Sequence, residues 1–301
     1  MSGFFAQRLT VVGLGMMGGS LALALRGYAA SITGVDTSAE TREYALAHKI
    51  VDYATDDLRA GVENADVVLL AAPVKAIISM IRGRLGSYLR SNTLLIDIGS
   101  TKADICEAMS VLPVGIQAIG GHPMTGKESP GIAYSDGEVY KDRPFVLCPS
   151  RRTTPATQDR AVGLVEALGA VVIEMDAARH DHVVAAISHL PYLLSAALVA
   201  TVSKEGETDD AVWRLAAGGF RDMSRLAGSD LSMMGDILNT NTRAVATLLA
   251  QFRMQLAMIE AVLIAQENGK LVDLLRPTRE ARLAWMQSVE NNKQENDKRG
   301  S

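Results

Sequence analysis

Residues 8–20 read Arg8-Leu9-Thr10-Val11-Val12-Gly13-Leu14-Gly15-Met16-Met17-Gly18-Gly19-Ser20: an apolar run, then glycines at the spacing G-x-G-x-x-G, then an alanine- and leucine-rich segment. Alone, that spacing is a weak signal. Between a predicted strand and a predicted helix it becomes the fingerprint of a dinucleotide-binding βα unit. Gly13 permits the tight turn, Gly15 lets backbone approach a pyrophosphate, and Gly18 lets helix and strand pack closely. The helix N-terminus offers unpaired N–H groups and a partial positive charge to phosphates. The acidic partner for an adenosine ribose is Asp36, 18 residues beyond Gly18 and just after the second predicted strand. Its carboxylate would repel a 2′-phosphate, and Thr37 beside it is not basic, so NAD is expected over NADP. Met17, inside the glycine motif, and Pro73, just past the apolar run 66–71, complete the cofactor-binding set with Gly13, Gly15, Gly18 and Asp36.

Working outward, short apolar runs alternate with helical patterns through the first half. Strands are predicted at 8–13, 31–35, 66–71, 93–98, 115–119, 144–149 and 171–175, with helices near 17–26, 38–48, 75–89, 102–110 and 155–168. The runs are continuously apolar, as strands covered on both faces require. The alternation reads as α/β, a doubly wound, Rossmann-type parallel sheet. After Asp176 no strand is expected, only long helices broken by Gly218-Gly219, Gly228, Gly269 and Pro277, followed by a polar, frayed tail. Two domains are therefore expected: 1–176 for the dinucleotide and 177–301, all helical. Within the latter, Val245, Leu249, Phe252, Leu256, Ile259 and Leu263 follow a heptad-like spacing, with Met254, Met258 and Val262 as a second apolar edge. Such a helix is buried on more than one side, inside a single-chain bundle or in a dimer interface; the little helix available to cover it favours a homodimer.

Composition sets the class. The chain has 301 residues, 48% hydrophobic and 21% charged, with a net charge of −4. That balance is globular, and no electrostatic footprint for nucleic acid or an anionic membrane is present. Two cysteines, Cys106 and Cys148, without metal-type pairing suit a reducing compartment. The start lacks an export pattern, and the longest apolar stretch, about 190–202, reads as too short to span a bilayer. A cytoplasmic protein is expected.

Ligands of a doubly wound sheet gather at the carboxyl ends of its strands. Gly99-Ser100-Thr101-Lys102 falls there after one strand, and Gly120-Gly121-His122-Pro123-Met124 after the next. Ser100 reads either as a site hydroxyl or as the N-cap of the following helix. His122 follows two glycines that clear space and precedes a proline that fixes the chain, which makes it a candidate base near neutral pH. Residues 124–143 form a long polar segment, a lid or a surface insertion. His180-Asp181-His182 invites a metal test, but His180 and His182 point to different helix faces and no ligand set completes the sphere, so no metal is expected. His189, beside the helix-kinking Pro191, is a site residue or a core histidine. Arg221 and Arg225 share a helix face, and arginine suits a bidentate grip on a carboxylate.

GLGMMGGSLA, DIGSTK, GGHPMTGKESPG, HDHVVAAISHLPY and GGFRDMSRLAGSD, in this order, resemble the prephenate/arogenate dehydrogenases of tyrosine biosynthesis over about residues 8–265. The resemblance implies an N-terminal nucleotide-binding domain joined to an all-helical dimerisation domain. It implies NAD-dependent oxidative decarboxylation of prephenate to 4-hydroxyphenylpyruvate, or of arogenate to tyrosine. By motif match, His122 takes the hydroxyl proton and Ser100 bonds near nicotinamide and hydroxyl. His189 and Arg225 hold the substrate, and Glu128 helps close the site. Asp222 stands where it meets an ammonium or orients Arg225. Neither a fused mutase nor a separate regulatory domain is expected, which leaves feedback inhibition by tyrosine without an expected site. The competing reading, a β-hydroxy-acid dehydrogenase, shares the glycine motif but needs a lysine in its helical half; between 177 and 268 only Lys204, near a helix end, is present. A non-enzymatic NAD-sensing dimer would have no use for His122, Ser100 and Arg225 together.

Overall fold

The structure, a computed structural model, describes residues 3–126 and 131–299. Its centre is an eight-stranded sheet of β1 (Ala6–Val12), β2 (Ala29–Val35), β3 (Tyr53–Thr55), β4 (Val67–Leu70), β5 (Leu94–Asp97), β6 (Gln117–Pro123), β7 (Pro144–Pro149) and β8 (Val171–Glu174). The spatial order is β3-β2-β1-β4-β5-β6-β7-β8, so the order reverses beside β1, at the crevice where such sheets take their ligands.

β4 shows why the sheet is doubly covered. Val67 and Leu69 enter one apolar core and Val68 and Leu70 the other, as do Leu94 and Ile96 against Leu95 on β5. A strand with both faces in a core has no reason to alternate, which accounts for the continuous apolar runs. Burying each such side chain contributes about 1.5–3 kcal/mol.

Three details depart from the sequence reading. The sheet is not wholly parallel: β7 runs antiparallel to β6, with His122 opposite Val146 and Gly121 opposite Leu147. Among the described residues of the link between them, 124–143, there is only the short turn Ile132–Tyr134 and no crossover helix, and the chain re-enters the sheet from the end it left. β3, three residues at the edge, is too short to carry a periodic signal. β6 extends through Pro123, so His122 lies in the strand and not in a loop after it. Gly120 and Gly121 serve close approach more than open space: a Cβ on Gly121 would sit 2.5 Å from the Asp97 carbonyl oxygen.

Among the described residues, those after Glu174 are helical or irregular. Helix Ala177–Val184 continues through a π turn, Ala185–His189, into helix Leu190–Gly206. The helix is thus longer than the apolar run that the sequence marked as too short to span a bilayer. It and Thr242–Ile264 are long and apolar enough to cross one by length and composition alone. The first, however, buries His180, Asp181 and His189. Pro277 does not end its helix, which runs from Asn268 to Arg299, where fraying was predicted; one missing N–H is tolerated in a long helix.

By compactness the chain divides into Met1–Val245 and Ala246–Ser301. Residues 177–245 therefore belong to the same compact unit as the sheet. In helix Thr242–Ile264, Val245 alone is buried, and Met254, Leu256, Met258 and Leu263 are at least half exposed. The apolar stripe read from the sequence is present and stays largely exposed among the described residues.

Candidate active site

At the end of β1 the chain turns at Gly13, whose φ is +92° and where a Cβ would lie 2.5 Å from the Ala71 carbonyl oxygen, so a side chain is excluded. A Cβ on Gly18 would lie 1.8 Å from the Gly13 oxygen, so this glycine lets the helix close on the strand. Gly15 differs: nothing lies within 4 Å of a Cβ built on it. It precedes helix Met16–Ala24, whose N-terminus no side chain caps. The geometry is a helix terminus without a side-chain cap beside open space at Gly15, which fits a pyrophosphate. Met17 lies in the first turn, its carbonyl accepting the Tyr140 hydroxyl at 2.7 Å. Pro73 is exposed and N-caps helix Val74–Met80.

Asp36 ends the β2 side of this crevice. Its carboxylate accepts N–H bonds from Leu14 (2.7 Å) and Ser38 (2.9 Å), which fix it beside the glycine loop. The sequence reading overlooked Arg42, whose guanidinium bonds the carbonyl oxygens of Asp36 (2.8 Å) and Thr37 (3.1 Å) and pairs with Asp56 at 3.2 Å. The cation sits one helical turn along, hidden from a search at position 37.

The second half of the site begins at Asp97, the last residue of β5. Its carboxylate accepts N–H bonds from Gly99 (2.8 Å) and Gly121 (3.2 Å) and an ion pair from Lys102, and both charged side chains are wholly buried. One side chain thus ties down the residue before Ser100 and the residue before His122. Ser100 is half-buried between β5 and helix Ala103–Ser110. It is not that helix's cap: the Asp181 carboxylate takes the first N–H groups, from Lys102 (2.7 Å) and Ala103 (2.8 Å).

His122 Nδ1 lies 2.8 Å from His180 Nε2, and His180 Nδ1 lies 2.8 Å from Asp181 Oδ1. Asn241 Nδ2 donates to the Asp181 carbonyl at 2.6 Å and lies 3.2 Å from His189 Nδ1. Nine residues separate His180 from His189, which in an α-helix places them on opposite faces, about 180° apart. The π turn takes up one extra residue and reduces the angle to about 80°, so both reach the same side. Pro191, which lacks an N–H, explains why the ladder slips here.

Burial holds His122 well below the ordinary imidazole range, with His180, Lys102 and His189 acting in the same direction. Burial also pulls His189 down to about 4, against the opposing pull of Asp181. Both rings are neutral at pH 7. Cys106 is pushed up to about 12, chiefly by burial, and is inert as a thiolate. Among the described residues no group of three or more His, Cys, Asp or Glu could hold a metal.

Of the predicted site residues, His122 and His189 are brought into one hydrogen-bonded cluster, in which His122 is half-buried and His189 buried. Arg225 opens the turn Arg225–Gly228 and is exposed. Asp222 pairs at the surface with Arg221, 3.7 Å away. Glu128 lies outside the described residues. The sequence reading missed Asp97 and Asn241, named Lys102 within the Gly99–Lys102 cluster without giving it a role, and considered His180 and Asp181 only as metal ligands. The available signal was a carboxylate ending an apolar strand in DIGSTK, a position that demands a buried partner.

Two family models match the chain: the nucleotide-binding domain of prephenate dehydrogenase over residues 21–174 and its dimerization domain over 176–277. A prephenate dehydrogenase of Bacillus subtilis (strain 168) is 34% identical over 77% of this chain and 64% of its own length, so the chain spans just under two thirds of that relative. The Synechocystis arogenate dehydrogenase structure is 32% identical, with a TM-score of 0.80 over 93% of this chain and 100% of that one. A structure of A. aeolicus prephenate dehydrogenase with hydroxyphenyl propionate and NAD+ is 30% identical, with a TM-score of 0.84 over 92% of this chain and 98% of that one.

Proposed function

Because the chain belongs to the prephenate dehydrogenase family, we propose that it oxidatively decarboxylates prephenate to 4-hydroxyphenylpyruvate in tyrosine biosynthesis. The observation that supports this most is a neutral, half-buried His122 at the carboxyl edge of β6, on the same edge of the sheet as the glycine loop that follows β1. Gly13, Gly15, Met17, Gly18, Asp36 and Pro73 would hold NAD, whose nicotinamide supplies a hydride acceptor when bound. His122 takes the proton of the ring hydroxyl as hydride leaves the same carbon. The ring carboxylate departs as CO2, its bonding pair completes the aromatic ring, and the phenolate oxygen so formed recovers the proton from His122. Deprotonation offsets the positive character that hydride loss builds at carbon, so a neutral imidazole lowers the barrier. Ser100 hydrogen-bonds the same hydroxyl. His189, neutral, donates to a substrate oxygen, and Arg225 supplies the cation that a dianionic substrate needs near a net-acidic chain.

Asp36 favours NAD over NADP. Arg42 does not reverse this, because Asp56 and two carbonyl oxygens already occupy its guanidinium. We further assign 1–176 to the cofactor and 177–301 to substrate and assembly, in a cytoplasmic homodimer joined through the apolar stripe of Thr242–Ile264, with neither nucleic acid nor membrane as partner. Arogenate remains the second substrate reading, supported by the likeness to the Synechocystis enzyme. Mixing the protein with prephenate and NAD is expected to release NADH and CO2 in equal amounts. Comparing kcat/KM for prephenate and arogenate decides between the substrates, and absence of CO2 with both would refute the proposal.

A further inference from the structure

Asp181 sits where two hydrogen-bond chains meet. Its Oδ1 accepts the Lys102 N–H and faces His180 Nδ1, and its Oδ2 accepts the Ala103 N–H. A carboxylate only accepts, so His180 Nδ1 carries a proton. A neutral His180 then has a bare Nε2, and His122 Nδ1, 2.8 Å away, must be the donor. That assignment strips the proton from His122 Nε2. The second chain starts at the Asp181 backbone oxygen, which also only accepts. Asn241 Nδ2, 2.6 Å from it, is therefore the amide nitrogen, and the same nitrogen lies 3.2 Å from His189 Nδ1. His189 Nδ1 accepts, so a neutral His189 carries its proton on Nε2.

We propose that Asp181 is a positioning residue that sets the two site histidines in opposite tautomers. Its carboxylate, acting through His180, leaves His122 Nε2 bare to take a proton. Its carbonyl, acting through Asn241, makes His189 Nε2 a donor. One residue thereby fixes which ring is the base and which is the binding group. Neither ring could specify this alone, since a neutral imidazole has two tautomers of similar energy and the wrong one cannot act as base. The functional half of this inference rests on His122 as the base.

Three measurements test it on the full-length protein. Long-range 1H–15N spectra of 15N-histidine-labelled protein at neutral pH should show protonated Nδ1 on His122 and His180 and protonated Nε2 on His189. A proton on His122 Nε2, or a doubly protonated His180, overturns the proposal whatever the kinetics. In the second measurement, His180→Leu removes the acceptor behind His122. Its kcat should fall roughly 10–100-fold, the usual cost of losing an orienting partner, with NAD affinity and thermal midpoint little changed. His180→Gln, whose amide oxygen can still accept from His122 Nδ1, should recover most of that loss. Equal defects in the two variants indicate a merely structural role and overturn the proposal. The third is Asn241→Leu, which should act on the other chain and raise KM more than it lowers kcat; a pure kcat effect overturns that branch. If His122→Asn keeps its rate while the tautomers are as stated, the fault lies in the base assignment and not in the hydrogen-bond chain.

Discussion

Lys102→Met isolates the ion pair that ties together the loop before Ser100 and the strand that carries His122. Lys102 and Asp97 have no exposed side-chain surface, and the Asp97 carboxylate also receives the N–H groups of Gly99 and Gly121. Methionine keeps most of the lysine volume and removes only the charge. What remains is a buried carboxylate with two backbone donors and no counter-ion. Removing one partner of a buried pair costs about 3–5 kcal/mol, and the surviving donors keep the loss toward the lower end. For a unit of this size each kcal/mol moves the midpoint by about 2–4 °C, so thermal unfolding should occur roughly 6–15 °C lower. The defect should barely respond to salt, because counter-ions do not reach a dry pair. Neutralising the stranded group in Lys102→Met/Asp97→Asn should recover at least half of the loss. Circular dichroism melts of the three proteins read this directly. A midpoint shift under 2 °C for the single variant, or a double variant less stable than the single, would refute the reasoning.

Three further outcomes are expected. Gly18→Ala places a Cβ 1.8 Å from the Gly13 oxygen, so NAD affinity by calorimetry should fall at least about tenfold as the helix is pushed off the strand; an unchanged Kd contradicts the cradle. Leu256→Glu puts a charge on the exposed apolar stripe and should convert a sedimenting dimer into monomer, and a wild-type protein that is already a stable, active monomer at micromolar concentration would remove the interface. Arg225→Gln forfeits a charge-assisted pair worth about 1.5–3 kcal/mol and should raise KM by roughly 10–100-fold with NAD affinity intact; an unaltered KM takes Arg225 out of the site.

The parts of the fold that were legible are those where local sequence and tertiary environment make the same demand. Val67–Leu70 is buried on both faces and reads as an unbroken apolar run, and Gly13 and Gly18 are glycines because backbone oxygens leave no room for a Cβ. The antiparallel β7 was not legible, since strand direction depends on which end of the sheet the chain re-enters and not on the residues of Pro144–Pro149. Within the candidate site, special chain geometry in the sequence marked His122 and His189, which the structure links through one hydrogen-bonded cluster. The site was not legible at Asp181 and Asn241, which lie 60 residues apart and become informative only once the π turn and the helix end bring them together. Arg42 was missed for a similar reason: a helical turn, not sequence adjacency, brings its guanidinium to the Asp36 carbonyl.

The central claim is that His122 accepts the substrate proton, and the pH dependence of kcat with and without that ring tests it most directly. Burial and the neighbouring His180, Lys102 and His189 lower its pKa, so the ring is neutral above the lowered value. The rising limb of the wild-type rate should therefore fall well below the ordinary imidazole value of about 6.5, leaving a plateau through neutrality. His122→Asn keeps a hydrogen-bonding group of similar reach but cannot take the proton. It should bind substrate nearly as well, lose roughly 10²–10⁴ in kcat, and lose the limb. A variant that retains both its rate and its limb would place the base on another residue.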